Sequence, residues 1–287
     1  MDEMLVRQIE EDWRLVTSPA RPDAARIELF RSAVRATRSA LLMGATPELV
    51  DMLLTEGVGR VVTIDLHAET MEAMRRLATQ DWSRVERVVG DWLEPRPAWD
   101  SAFDRILCDG GLMFLPFPDG WRKMLAMVHG YLRPGGRFVT TGVGISPTET
   151  GFEHYYAQAI AGFEQDRPTL APEQQARRFA QLASGLRGLT RVGAVDGEGR
   201  VRVEAASAAR RWIADDLTRR YPGFGRIVQA NFGRSHSGGL NRGGIVATPG
   251  PQRVMAELTG SGFSVELLAS VHRPPRDIFA IAATRQP

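Results

Sequence analysis

The chain has 287 residues, 43% hydrophobic and 24% charged, with a net charge of +2. That is enough for one large core with insertions, or two modest ones, without covalent staples. The single cysteine, Cys108, excludes a disulfide framework and reads as a buried core thiol in a reducing compartment. Residues 1–13 carry five acids and no apolar block, and no stretch reaches bilayer-spanning length. The expectation is a soluble, cytoplasmic protein without signal peptide or membrane partner.

Residues 1–39 predict an arm of two helices, broken at Ser18-Pro19-Ala20-Arg21-Pro22. Asp23 is placed to cap the second, and Ile27, Phe30 and Val34 form its apolar stripe. From residue 40 the period changes. Short apolar runs at 40–43, 60–64, 85–89, 105–108 and 137–141 alternate with helical stretches at 47–54, 68–78 and 120–132. This alternation predicts right-handed crossovers and a doubly wound, mostly parallel α/β core over 40–144. A Leu-Arg-Pro-Gly-Gly turn at 132–136 should precede the fifth strand.

Residues 145–248 lose the alternation and regain helical periodicity at 152–163, 173–186 and 205–217, broken by a glycine-rich run at 192–200. They predict a helical insertion over the substrate site. Arginine outnumbers the acids between Arg167 and Arg242 but is not interleaved with aromatics, so a solvated helical face is expected rather than a phosphate-tracking groove. Residues 249–287 return to the core with a helix at 252–259 and strands at 263–269 and 278–284. The connection between those strands is too short for a crossover, so they should pair antiparallel.

The chemistry gathers at the strand ends. Gly44 lets a ligand approach the backbone, Thr46 is placed to cap a helix, Pro47 suits its first position, and Glu48 favours the positive end of its dipole. With Ala45, this start can offer free N–H groups to an anion, or simply be a capped helix. Asp65, twenty-one residues after Gly44, is placed to accept both hydroxyls of a ribose or to cap the next helix. Leu66 follows it, and His67 falls near the edge of the same ligand. Asp91 can accept from an exocyclic adenine amine while Trp92 or Leu93 packs on the ring; a plain turn acid is the alternative. Asp109-Gly110-Gly111, beside the aromatic segment 114–118, forms either a reaction-site wall or a buried turn.

On Leu42-Met43-Gly44-Ala45-Thr46-Pro47-Glu48-Leu49, Ile64-Asp65, Gly90-Asp91-Trp92-Leu93, Cys108-Asp109-Gly110-Gly111 and Leu132-Arg133-Pro134-Gly135-Gly136-Arg137-Phe138, residues 40–143 resemble a class I S-adenosylmethionine-dependent methyltransferase. The usual glycine-rich first loop is reduced here to a Gly-x-Thr-Pro-Glu branch. The resemblance implies a Rossmann-like seven-stranded sheet with an antiparallel last strand, and S-adenosyl-L-methionine as cofactor. It implies Gly44, Ala45 and Thr46 at the methionine part, Asp65 at the ribose, Asp91 and Trp92 at the adenine and Asp109 near the amino group or sulfonium, with Leu66 and Gly110 in the same cofactor set. Arg21 is a further candidate, reaching the cofactor carboxylate from the arm.

Methyl transfer is an in-line displacement that gains most from positioning. An alcohol or phenol acceptor needs a base, whereas a soft nitrogen or carbon does not. His154, Tyr155, Tyr156 and His236 are the candidate bases, each with a packed or surface role as the alternative. No metal is called for. A nucleic-acid amino-methyltransferase's Asn/Asp-Pro-Pro-Tyr is absent, Asp109-Gly110-Gly111-Leu112 standing in its place. The reading is therefore O-, N- or C-methylation of a small molecule, with a nucleic-acid methyltransferase or an inactive cofactor-binding scaffold as alternatives. A nicotinamide oxidoreductase would need the missing Gly-x-Gly-x-x-Gly turn. The acceptor and oligomeric state stay open.

Overall fold

The computed structural model describes residues 1–145, 148, 150–233, 247–273 and 275–286. Seven strands, β1 (Ser39–Met43), β2 (Arg60–Asp65), β3 (Val85–Val89), β4 (Phe103–Asp109), β5 (Leu132–Ile145), β6 (Phe263–Arg273) and β7 (Arg276–Arg285), form one sheet in the order β3-β2-β1-β4-β5-β7-β6. The pairs among β1 to β5 are parallel, and β7 runs antiparallel to both β5 and β6.

Alternation along β1 explains why both faces must be covered. Leu41 and Met43 join the core on one side and Ala40 and Leu42 the core on the other, and all four are buried. Helices α1 (Glu3–Leu15), α2 (Ala24–Ala33), α3 (Pro47–Thr55) and α4 (Ala68–Leu77) supply Val6, Phe30, Leu49 and Met74 to the Leu42 side. Helices α5 (Asp119–Tyr131) and α10 (Pro251–Gly260) supply Trp121, Leu125 and Leu258 to the Leu41 side. Asp23 caps α2 as expected, its carboxylate accepting from the Arg26 amide at 2.9 Å. Cys108 is fully buried.

The insertion holds α6 (Phe152–Asp166), α7 (Pro172–Leu189), α8 (Val203–Arg220) and α9 (Gly225–Phe232), which share their own core around Phe163, Phe179, Leu186 and Ile213. Helix α9 was not expected. Its eight residues begin at Gly225 and stop before Gly233, too short a stretch for Ile227, Val228 and Phe232 to show a helical period. The expected turn at 132–136 is also corrected: β5 already begins at Leu132. Leu132 faces Phe103 while Arg137 faces Arg105, so the Pro-Gly-Gly segment is accommodated as a bulge, with Gly135 at φ +76°. Among the described residues, no helix is long and apolar enough to cross a membrane.

Candidate functional site

The sheet order reverses between β1 and β4, and at such a switch point the carboxyl ends of the strands diverge to leave a crevice. A cavity of about 670 Å³ opens there, and its lining includes Gly44, Ala45, Thr46, Asp65, Leu66, Asp91, Trp92 and Asp109. Gly44, at φ +107°, donates its N–H to the Ile64 carbonyl at 2.8 Å, and the Trp92 indole N–H donates to the same oxygen at 3.0 Å. The turn and Trp92 are thereby fixed to the end of β2. Thr46 occupies the cap position of α3, but its hydroxyl makes no capping bond, and Pro47 takes the first turn.

Glu48 does more than complement the helix dipole. Its Oε1 accepts from the Trp13 indole at 3.1 Å and from the Arg21 Nε at 2.6 Å, tying the arm to the rim. Arg21 is therefore engaged by Glu48, and it lines neither this cavity nor the one beside it. Helix α1 closes the crevice instead, contributing Gln8, Ile9, Asp12 and Trp13, four lining residues that the motif reading missed.

Asp65 accepts the His67 amide at 3.1 Å through Oδ1. Burial pushes its pKa above the ordinary aspartate value, against the lowering effect of that amide. The Leu66 amide also bears on the carboxylate and opposes that rise. Among the described residues, the His67 Nε2, on the same lining, is buried and without a hydrogen-bond partner. Asp91 turns Oδ1 to the Leu93 amide at 2.9 Å and remains part of the lining. A buried carboxylate with acceptor capacity, an orphaned imidazole nitrogen and a glycine turn open to close approach fit a nucleoside with a charged tail.

Asp109 sits where this cavity meets a second of about 570 Å³, and Ala20, Phe114, Arg187 and Arg210 also belong to both. The Arg26 guanidinium donates to both Asp109 oxygens, at 3.2 and 3.3 Å, and the Thr141 hydroxyl donates to Oδ1. Gly110, expected in the cofactor set, lines the second cavity; Gly111 faces the first, packed so closely on Trp92 that a Cβ would stand 2.8 Å from the ring. The expectation of a solvated arginine face also fails at three positions, because Arg187, Arg191 and Arg210 line the second cavity.

The candidate bases are not brought to this junction. His154 is exposed and contacts Gln158 at 3.0 Å, with Tyr155 stacked edge-on against it. Tyr156 donates its hydroxyl to Asp216 at 2.6 Å inside the helical core, where burial raises its pKa. None of these three lines either cavity. His236 lies outside the described residues.

Residues 44–136 match the family model described as a methyltransferase domain. The chain is similar in structure to the N-methyltransferase NodS from Bradyrhizobium japonicum in complex with S-adenosyl-L-homocysteine, at 16% identity over 99% of this chain and 98% of that one, with a TM-score of 0.51. It is equally similar to a Rhodobacter sphaeroides protein named for Zn-dependent alcohol dehydrogenases, at 15% identity over 96% and 98%, with a TM-score of 0.52. At such identities the likeness speaks to fold alone. Comparison with curated proteins finds no match. The family model identifies a methyltransferase domain over residues 44–136, about a third of the chain, and the seven-stranded order with β7 reversed between β5 and β6 gives it a Rossmann-like methyltransferase fold. A methyltransferase domain makes the chain an enzyme of methyl transfer.

Proposed function

We propose that the first cavity holds S-adenosylmethionine and that its methyl group passes to a small molecule in the second. The observation that carries this is the shared wall at Asp109 and Phe114, which sets two cavities of ligand size end to end. Asp65 would accept the ribose hydroxyls, Asp91 and Trp92 would flank the adenine, and the turn at Gly44, Ala45 and Thr46 would meet the methionine tail. The bound sulfonium supplies the electrophilic methyl. The protein's part is to hold donor and acceptor in line and exclude water, with α1 over the first cavity and α7 and α8 beside the second.

Asp109, the carboxylate at the junction, already serves Arg26 and Thr141. A free amine or an already ionised, enolate-type carbon, which needs no base in the site, fits this junction better than an alcohol. In this reading residues 1–39 form the arm, 40–144 the cofactor core, 145–248 the acceptor cover, and 249–287 the helix and hairpin completing the sheet. An acceptor enclosed between helices favours a small molecule over nucleic acid. Calorimetric titration with S-adenosylhomocysteine, followed by a methyl-transfer screen of small amines and carbon acids, tests it. Cofactor binding with turnover only on RNA or DNA would reject the small-molecule acceptor, and binding without turnover on any acceptor would favour a scaffold.

A further inference from the structure

Among the described residues, three arginines in the second cavity have no acid partner, unlike many arginines elsewhere in the molecule. Arg75, Arg76 and Arg220, for example, all reach carboxylates within 3.0 Å. The Arg187 guanidinium, in the last turn of α7, has no hydrogen-bond or ion-pair partner among the described residues. Arg191, just beyond that helix, has the Met113 sulfur at 3.8 Å. Arg210, on α8, donates to the carbonyls of Phe232 and Gly233 at 3.0 and 2.6 Å, which hold it at the end of α9. The acids on the same lining are committed elsewhere. Asp23 caps α2, and Asp109 pairs with Arg26. Residues 234–246 contain no aspartate or glutamate.

The three cations are also close enough to act on one another. Burial pushes Arg187 and Arg191 down to about 10, and the charge of Arg210 contributes to both shifts. They stay cationic at neutral pH, and a cluster of like charges in a recess is costly until an anion joins it. Much of the remaining lining is apolar, including Phe114, Val143, Val201, Ile278 and Phe279.

We propose that the second cavity takes an anionic small molecule, its carboxylate or phosphate held by Arg187, Arg191 and Arg210 and its apolar body set against Phe114 and Phe279. This rests on the reading of that cavity as the acceptor site, and it narrows the acceptor to an organic acid or phosphate ester. Planar guanidinium forks suit both groups through paired, charge-assisted hydrogen bonds.

The test is thermal unfolding and calorimetry of the full chain saturated with S-adenosylhomocysteine, titrated with benzoate, phenyl phosphate and inorganic phosphate beside neutral benzamide and benzyl alcohol. The anions are expected to raise Tm and the neutral probes not. Benzoate against phenyl phosphate tells which acid group is preferred, and inorganic phosphate alone would show the anion site without the apolar body. Arg191→Gln, which touches the second cavity only, should weaken anion binding roughly tenfold or more, and Arg191→Lys should recover part of it. The Lys variant keeps the test open if the Gln variant fails to fold. Equal response to neutral and anionic probes, no response to any anion, or undiminished anion binding in Arg191→Gln would overturn the proposal. Failure of S-adenosylhomocysteine to bind would instead strike the cofactor reading, leaving the anion titration readable on the unliganded chain.

Discussion

The two cavities are built in opposite ways. The first is assembled from the ends of consecutive strands, so Gly44, Asp65, Asp91 and Asp109 reach it from four sequence positions that the βα rhythm marks in advance. The second is walled by α2, α7, α8 and the far strands β5 to β7, elements that meet only because the insertion folds back over the sheet. The lesson is that a parallel sheet delivers its ligand-facing residues by topology, whereas a helical cover delivers them by packing.

The sharpest way to break this contrast is at Asp65. Asp65→Ala should weaken S-adenosylhomocysteine binding about a hundredfold, the loss of two hydrogen bonds to a charged acceptor, measured by calorimetry. Because burial raises the Asp65 pKa, the folded chain favours the protonated acid, and its contribution to stability is present below that pKa and lost as pH rises through it. Asp65→Asn should therefore not lower Tm at neutral pH, although it binds the cofactor poorly. A markedly lower Tm would make Asp65 a structural residue. Cofactor affinity should accordingly begin to fall, on acidification, at a pH above the ordinary aspartate range.

Next in size is Gly111→Ala. Its methyl would stand 2.5 Å from the Cys108 sulfur and 2.8 Å from Trp92, so it should displace the indole into the first cavity. The expected cost is roughly 1–3 kcal/mol in stability, read by denaturant unfolding, with weaker cofactor binding. A neutral effect would mean that Trp92 is free to move and does not define the cavity wall.

Glu48→Ala removes the acceptor for both Trp13 and Arg21. It should loosen α1 and speed cofactor release several-fold, on the order of 1 kcal/mol, by stopped-flow fluorescence. An unchanged off-rate would separate the arm from the cofactor. The smallest effect is expected for His154→Ala, which should leave methyl transfer and its pH profile unaltered once an acceptor is found.

The legible part was the part whose physics is local or periodic. Burial on both faces produces the continuous apolar runs of β1 and β2, and ligand contact at the sheet's C-terminal edge puts glycines and acids at their ends. Hairpin pairing of the last two strands followed from the shortness of their connection. Gly110 and Gly111 could not be told apart, because which of two adjacent glycines faces a cavity depends on the φ of the first, here +67°.

Tertiary structure alone decided the rest. Tyr156 and Arg187 both lie on helices of the insertion, and side-chain chemistry made the tyrosine look catalytic and the arginine look solvated. Packing reverses those roles, turning Tyr156 to Asp216 in the helical core and Arg187 to the cavity. The sequence by itself determined the sheet, its crossovers and the cofactor-facing strand ends, since these depend on hydrophobic period and chain connectivity. The closing arm, the commitment of Glu48 to Trp13 and Arg21, and the arginine-lined second cavity depend on which helix faces meet across long sequence separations, and that is set only when the chain has folded.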